Sequence, residues 1–321
     1  QKIFTFKISK INIATFWKDF DSKKEEEDLN SFFWLNLINR KNDGLIIQQI
    51  ISIWMKDNNK FKKKNWDNSN ISKRILAWIL NADIILNNAD KNFKQIFFNS
   101  IIVQVNHLKK NINFENDPVK KIEIISAITL SGLVFKEYNS NFETGIKVLK
   151  NTVESFFDDD GCPLNRNIYD LVQCSKFLIL IKECCRDAQE YIPDYLDDIV
   201  DKLIDCLYSL KTPTNKNPLF NGASEFKMDS YLEYLSGLEY KTSKILNKIN
   251  QIYIVRGKKN LLFFDVGSPP EKKYSKDYQS GPLSFEYFID DNKIITNCGF
   301  GNKISKKAKL ISRLTSAQST L

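Results

Sequence analysis

The sequence predicts a multidomain α and β protein, in which a long series of helical hairpins is followed by the opening strands of an antiparallel β domain. Three observations lead there. The chain has 321 residues, more than one ordinary domain of roughly 100–200 residues. From Leu29 to about Leu246 apolar residues recur at three- and four-residue spacing, the repeat of a helix face. After Asn250 the repeat becomes alternating, which is the period of a strand.

The helices follow in order. Ser31 to Ile38 and Leu45 to Met55 form a first pair, parted by Asn42-Asp43-Gly44. A tryptophan-containing linker then leads through Ser69 and Ser72, either of which suits an N-cap, into the helix holding Ile75-Leu76-Ala77-Trp78-Ile79-Leu80. Further helices are expected at about Phe93–Leu108, Pro118–Phe135, Phe142–Phe156, Tyr169–Cys185, Ile192–Leu210 and Met228–Leu246. Pro118 takes a first-turn position, while Gly161 and Gly222 punctuate the gaps.

The strands are expected at Ile252-Tyr253-Ile254-Val255, Leu261-Leu262-Phe263-Phe264, Leu283 to Phe288 and Lys293 to Asn297. Gly257, Gly267-Ser268-Pro269-Pro270, Gly281-Pro282 and Asp290-Asp291-Asn292 separate them. Upstream, Ile3-Phe4-Thr5-Phe6 is also strand-like, and the charged run Lys23 to Asp28 reads as a solvated linker. The expected divisions are therefore an N-terminal segment and linker at 1–28, a helical domain at 29–249 and a β domain at 250–321. Four strands without a partner sheet leave one face uncovered, so the β domain calls for more sequence. Gln1 in place of Met, and Leu321 inside an apolar run, give the same expectation of a chain cut at both ends.

Composition narrows the function classes. Hydrophobic residues make up 42% and charged residues 27%, enough for a large core and against disorder. No apolar run reaches the roughly 20 residues a bilayer span needs, so no transmembrane segment is expected. The net charge of +8 would ordinarily point to an acidic partner. Lys and Asn, however, fill tolerant positions such as Asn58-Asn59-Lys60 and Lys62-Lys63-Lys64-Asn65, and the aromatic residues keep core spacing. With no basic helix interleaved with base-stacking rings, nucleic acid is not expected as a partner. Cys162, Cys174, Cys184, Cys185, Cys206 and Cys298 show no metal-finger spacing and read as small hydrophobes rather than a disulfide framework. His107 is the one histidine, which excludes a His-built metal site over this length.

Two stretches in order carry a family resemblance. The first is Trp54, Trp66, Ser72, Arg74 and Trp78. The second runs from Leu262-Phe263-Phe264-Asp265-Val266-Gly267 through Leu283-Ser284-Phe285-Glu286 and Thr296-Asn297-Cys298-Gly299 to Ala317-Gln318-Ser319-Thr320-Leu321. Between them lies Asp160-Gly161-Cys162-Pro163-Leu164-Asn165-Arg166-Asn167. Together these resemble the heparinase II/III-like polysaccharide lyases. The resemblance implies an (α/α) toroid followed by the start of a β-sandwich, a cleft between them that takes an acidic polysaccharide or oligosaccharide, and cleavage by β-elimination. It also implies the periplasm or cell envelope, which nothing in the composition indicates. No cofactor is expected.

Such a lyase must quiet the sugar carboxylate, remove the proton beside it and protonate the departing oxygen. Arg166 and Asn167 suit the first task, since an Arg fork matches a carboxylate and Asn can hold it by hydrogen bonds. The competing reading makes Asn167 a helix cap and leaves Arg166 on the surface. Tyr169 is the candidate proton acceptor, or else a packing residue on the first turn of its helix. Asn221, in Leu219-Phe220-Asn221-Gly222-Ala223, either meets the glycan or makes a turn. His107 is a candidate contact, or a packed helical histidine. Trp54, Trp66 and Trp78 are inter-helix core or sugar-stacking surfaces.

Gln279 and Gln318 stand where the resembling family carries histidines. Glutamine hydrogen-bonds a sugar but exchanges no proton near neutral pH, and zinc ligation goes with the histidines. Two functions therefore stand side by side: a lyase, and a glycan-binding or envelope-assembly protein that kept the scaffold without the chemistry. A helical-repeat interaction module ranks behind both, because no fixed repeat period emerges and the β domain is left unexplained.

Overall fold

The computed structural model describes residues 13, 16–17, 23–38, 44–58, 61 and 65–320. The strand-like Ile3-Phe4-Thr5-Phe6, the Asn42-Asp43 break and Leu321 lie outside them. The chain forms two compact units, residues 1–116 with 120–149, and residues 117–119 with 150–321.

The first unit is helical. It comprises α1 (Lys23–Asn30), α2 (Gly44–Asp57), α3 (Asn68–Leu80), α4 (Ala82–Ile85) and α5 (Lys91–Asn111), with most of α6 (Pro118–Val134) and α7 (Asn139–Phe156). The charged run read as a linker is α1 instead. Lys and Glu are strong helix formers, and the helix is anchored at its end by buried Leu29 and Asn30. Asn30 Oδ1 accepts the Trp54 indole N–H at 2.7 Å, and its carbonyl accepts Arg74 at 2.8 Å.

The tryptophans prove to be core. Trp54 and Trp78 are 2% and 0% exposed and meet edge to face at 5.6 Å, with Phe32 against both. Arg74 lies 4.2 Å over the Trp54 ring and donates Nε–H to Gln104 Oε1 at 2.6 Å. Its charge thus sits deep in the unit on neutral acceptors and a π face, an arrangement that works only if each donor finds a partner.

At the start of α3, Asp67 rather than Ser69 or Ser72 is the cap, accepting the Ser69 and Asn70 amide N–H groups. Ser69 turns its hydroxyl to buried Glu123 at 3.1 Å, and Ser72 bonds back to the Asn68 carbonyl. Burial pushes the Glu123 carboxyl up to about 7, against the opposing influence of Lys73 and Ser69. Further along, α6 and α7 cross at backbone contact: a Cβ on Gly132 would stand 2.2 Å from the Phe142 nitrogen.

The second unit continues from the end of α7 with α8 (Ile168–Asp187), α9 (Asp194–Ser209) and α10 (Met228–Gly237). A five-stranded antiparallel meander follows: β1 (Lys248–Ile249), β2 (Ile252–Arg256), β3 (Asn260–Asp265), β4 (Phe285–Ile289) and β5 (Asn292–Ile295), then a short α11 (Lys306–Ile311). Strand order equals chain order. Helix α10 ends at Gly237, short of the Leu246 the periodicity suggests. The buried Asp205 of α9 takes that segment for itself, accepting Thr242 Oγ1 at 2.8 Å and the Ser243 amide at 2.7 Å, and these bonds hold the chain irregular.

The sheet has one buried face, Ile252, Ile254, Phe263, Asp265, Glu286 and Phe288. Tyr253, Val255, Leu262, Phe264, Phe285 and Tyr287 alternate onto the other face, where Tyr253 and Val255 are exposed. No helix among the described residues is long and apolar enough to cross a membrane.

Two stability predictions follow from these contacts. Ala at position 132 would gain about 1 kcal/mol of helix propensity, but overpacking against a backbone that cannot yield costs about 1–3 kcal/mol or more. Gly132→Ala should therefore lower the thermal unfolding midpoint. For Glu123, the folded carboxyl holds its proton more tightly than the ordinary 4.5. Its contribution is present below that value and lost as pH rises through about 7, on the order of 3 kcal/mol. Urea unfolding of Glu123→Gln should show a smaller decline than the parent chain over this window.

Candidate functional site

The loop between α7 and α8 is shaped by its own sequence. Asp158 turns its carboxylate onto the Asp160 and Cys162 amides, and Phe157 pairs with Pro163 across the turn. The chain then passes through Arg166 at φ 52°, in the left-handed region. For a non-glycine residue this conformation costs roughly 1–2 kcal/mol. Asn167 next caps α8, accepting the Tyr169 and Asp170 amides at 2.9 and 3.3 Å.

The unusual backbone sends Arg166 inward rather than to the surface. Its Nε–H meets Asp265 Oδ1 at 3.0 Å, and its Nη2 donates to the Ser268 carbonyl at 2.9 Å, with the residue 4% exposed. Asp265 ends β3, so the β segment packs directly on the Arg166 turn. The same carboxylate accepts the Asn221 amide at 2.7 Å and the Gly267 N–H at 2.8 Å. A Cβ at Gly267 would lie 2.2 Å from the Arg166 guanidinium carbon, so any side chain there would push the guanidinium from its place against Asp265.

The network continues through the second loop. Asn221 stands at φ 54° and also donates to the Arg166 carbonyl at 3.4 Å. The neighbouring Gly222 N–H donates to Gln279 Oε1 at 3.2 Å, and Gln279 passes its own N–H to the Gly299 carbonyl at 2.8 Å. Gln279 is buried and bound at both ends of its amide. Gln318 donates to the Ser312 carbonyl at 2.7 Å, and its side chain lies against Gly281. The structure thus joins Arg166 and Asn221 by hydrogen bonds through Asp265, holds Gln279 on the adjoining Gly222 N–H, and sets Asn167 at the head of α8 beside them.

Tyr169 and Asp170 stay half-buried on the first turn of α8. Burial, and then Asp170, raises the Tyr169 phenol above its usual range. Asp170 is pushed up to about 7, chiefly by burial, with Asp117 and Asp277 adding to the rise while Asn165 and Lys276 oppose it. Asn165 donates to Asp170 Oδ2 at 2.8 Å, and Lys276 Nζ stands 3.0 Å from Asp117 Oδ2.

His107 belongs to the first unit. It stacks on Phe61 at 5.6 Å and meets Trp66 edge-on at 5.3 Å, and burial, with help from Lys110, lowers its pKa.

Sequence reasoning assigned no role to Asp265 or Asp170. The signal for Asp265 is its spacing to Gly267, a carboxylate followed two residues later by the one side-chain-free position against which a guanidinium can lie. Asp170 carries no such signal, because an Asp in a first helical turn is ordinary dipole pairing. None of the six cysteines is in a disulfide, and Cys162, Cys174, Cys185 and Cys206 are buried. Among the described residues, no group of three His, Cys, Asp or Glu side chains could hold a metal ion.

Removing one partner of a buried ion pair costs about 3–5 kcal/mol, because the other charge is stranded. Asp265→Ala should lose that much in chemical denaturation. The double substitution Asp265→Ala with Arg166→Met should lose less than the sum of the two single substitutions.

Residues 24–242 match the description Heparinase II/III N-terminus, and residues 243–321 match Heparinase II/III-like, C-terminal. No curated protein matches the sequence. Among solved structures, a heparan sulfate lyase, HepC, from Pedobacter heparinus is similar over 97% of this chain and 55% of its own, with 16% identity and a TM-score of 0.68. A structure titled Heparinase III is similar over 94% of this chain and 56% of its own, with 13% identity and a TM-score of 0.76. This chain therefore spans little more than half the length of those structures. At such identities the likeness establishes the fold, helical hairpins of the toroid class followed by the first strands of a β-sandwich. With both of its parts matched in order from residue 24 to residue 321, the chain belongs to the heparinase II/III family.

Proposed function

We propose that this chain is part of a lyase that cleaves an acidic polysaccharide by β-elimination, at the junction of the α8 turn and the β3–β4 segment. The observation that carries the reading is family membership over residues 24–321 together with the fold shared with proteins titled heparan sulfate lyase and heparinase III.

The chain's own residues divide the work. Arg166 and Asn167 hold the turn, since their side chains are taken by Asp265 and by the head of α8. Tyr169 and Asp170 are the half-buried proton-exchanging pair beside them. Lys276, paired with Asp117 and with 64% of its side chain exposed, is the cation beside them that a sugar carboxylate can approach. In the proposed step the Asp170 carboxylate takes the proton from the carbon beside the sugar carboxylate. The electron pair forms the carbon–carbon double bond as the glycosidic C–O bond breaks. Tyr169, kept protonated by its surroundings, gives its proton to the departing oxygen and recovers one from Asp170 through solvent.

A carboxyl near 7 is partly ionised at neutral pH, so activity should rise as pH increases through about 7. Asp170→Asn should reduce turnover about a hundredfold or more. The assay is the ultraviolet absorbance of an unsaturated uronate product on heparan sulfate, chondroitin sulfate and alginate.

The second reading is glycan binding without turnover. It draws on Gln279 and Gln318, which exchange no protons and donate to backbone carbonyls. Saturable binding with no absorbing product from any polymer would favour that reading and defeat the lyase.

A further inference from the structure

Two lysines of α8 are held in different ways. Lys182 is answered by carboxylates from α9, Asp197 at 2.6 Å and Asp201 at 3.8 Å. Lys176, also drawn partly out of water, has no ion pair among the described residues. Its ammonium lies instead 4.6 Å from the centre of the Phe226 ring and 5.6 Å from that of Tyr231. Burial lowers its pKa. Ring faces orient a cation but accept no strong hydrogen bonds, so the three N–H donors of the ammonium keep capacity for an anion.

The rings around it are fixed from behind and open in front. The Tyr231 hydroxyl shares a hydrogen bond of 2.9 Å with Ser175 Oγ, which locks that ring. Phe226 meets Tyr231 at 80°, while Tyr234 stacks on Tyr231 at 6.4 Å and 16°. Tyr234 is 60% exposed, and Phe226 and Lys176 are half-buried. A rigid aromatic surface therefore borders a cation that lacks a counter-ion.

We propose that Lys176, Phe226 and Tyr234 form a secondary subsite for one anionic residue of an acidic polysaccharide. A pyranose ring carries its C–H bonds on a flat face, which suits the negative face of an aromatic ring. Its carboxylate or sulfate then reaches the Lys176 ammonium. Tyr231 positions the two contact rings and does not itself touch the sugar. The identity of the ligand rests on the acidic-polysaccharide reading above, but the chemistry required of it, an anionic pyranose, comes from this cluster.

The test is calorimetric titration at low salt with heparan sulfate, chondroitin sulfate and alginate oligosaccharides, and with neutral dextran. Lys176→Met keeps the apolar stem and removes the charge, and Tyr234→Ala alters an exposed ring, so both variants should keep the parent unfolding midpoint. Each should weaken binding of the preferred acidic oligosaccharide about five- to tenfold, with the effect of Lys176→Met shrinking as salt rises. Dextran should bind to neither parent nor variants. If the parent binds or cleaves an acidic polymer and both variants bind it equally well, the subsite is wrong and the acidic-polysaccharide reading survives. If the parent neither binds nor cleaves any polymer of the set, both readings fall.

Discussion

The buried pair between Arg166 and Asp265 is the constraint to which the rest of the second unit answers. A guanidinium and a carboxylate at 3.0 Å, each almost wholly withdrawn from water, lose several kcal/mol of hydration apiece and remain tolerable only because their other bonding positions are filled. Asn221, the Gly267 N–H and the Ser268 carbonyl fill them. The geometry this demands explains otherwise odd features: a left-handed Arg166, a left-handed Asn221, and a glycine against which the guanidinium lies.

That pair also fixes what the neighbouring residues can do. It binds the loop before α8 to the end of β3, and Gln279 extends the tie to the Gly222 and Gly299 backbone. Side chains that the family resemblance nominates for substrate contact are thereby spent on structure. On the first turn of α8, Tyr169 and Asp170 keep partial exposure, and burial raises the Asp170 carboxyl to about 7.

Periodicity made most of the architecture legible. Helices α5 to α9 and strands β2 to β5 appear within a few residues of where spacing puts them, because a buried face imposes its repeat on the sequence that covers it. The failures are equally physical. The charged run before Leu29 has no apolar repeat, yet two anchored residues at its end suffice to hold it as a helix. The extension of α10 to Leu246 has a helical repeat but loses its segment to hydrogen bonds with Asp205. For the site, Arg166, Asn167, Tyr169 and Asn221 could be singled out from the motifs that contain them, while the ion pairing of Asp265 and the raised carboxyl of Asp170 could not.

By itself the sequence determined the succession of elements, the change from helical to alternating period near residue 250, and the family whose motifs it carries in order. Only the tertiary structure decided that Arg166 points inward to Asp265, that Gln279 is bound at both ends, and that Asp170 holds its proton to about 7. The reason is one of range. Periodicity records which face of an element meets apolar neighbours and is written over a few adjacent residues. Ion pairing and proton affinity depend on groups as much as 159 positions apart in the chain, and only folding brings these together.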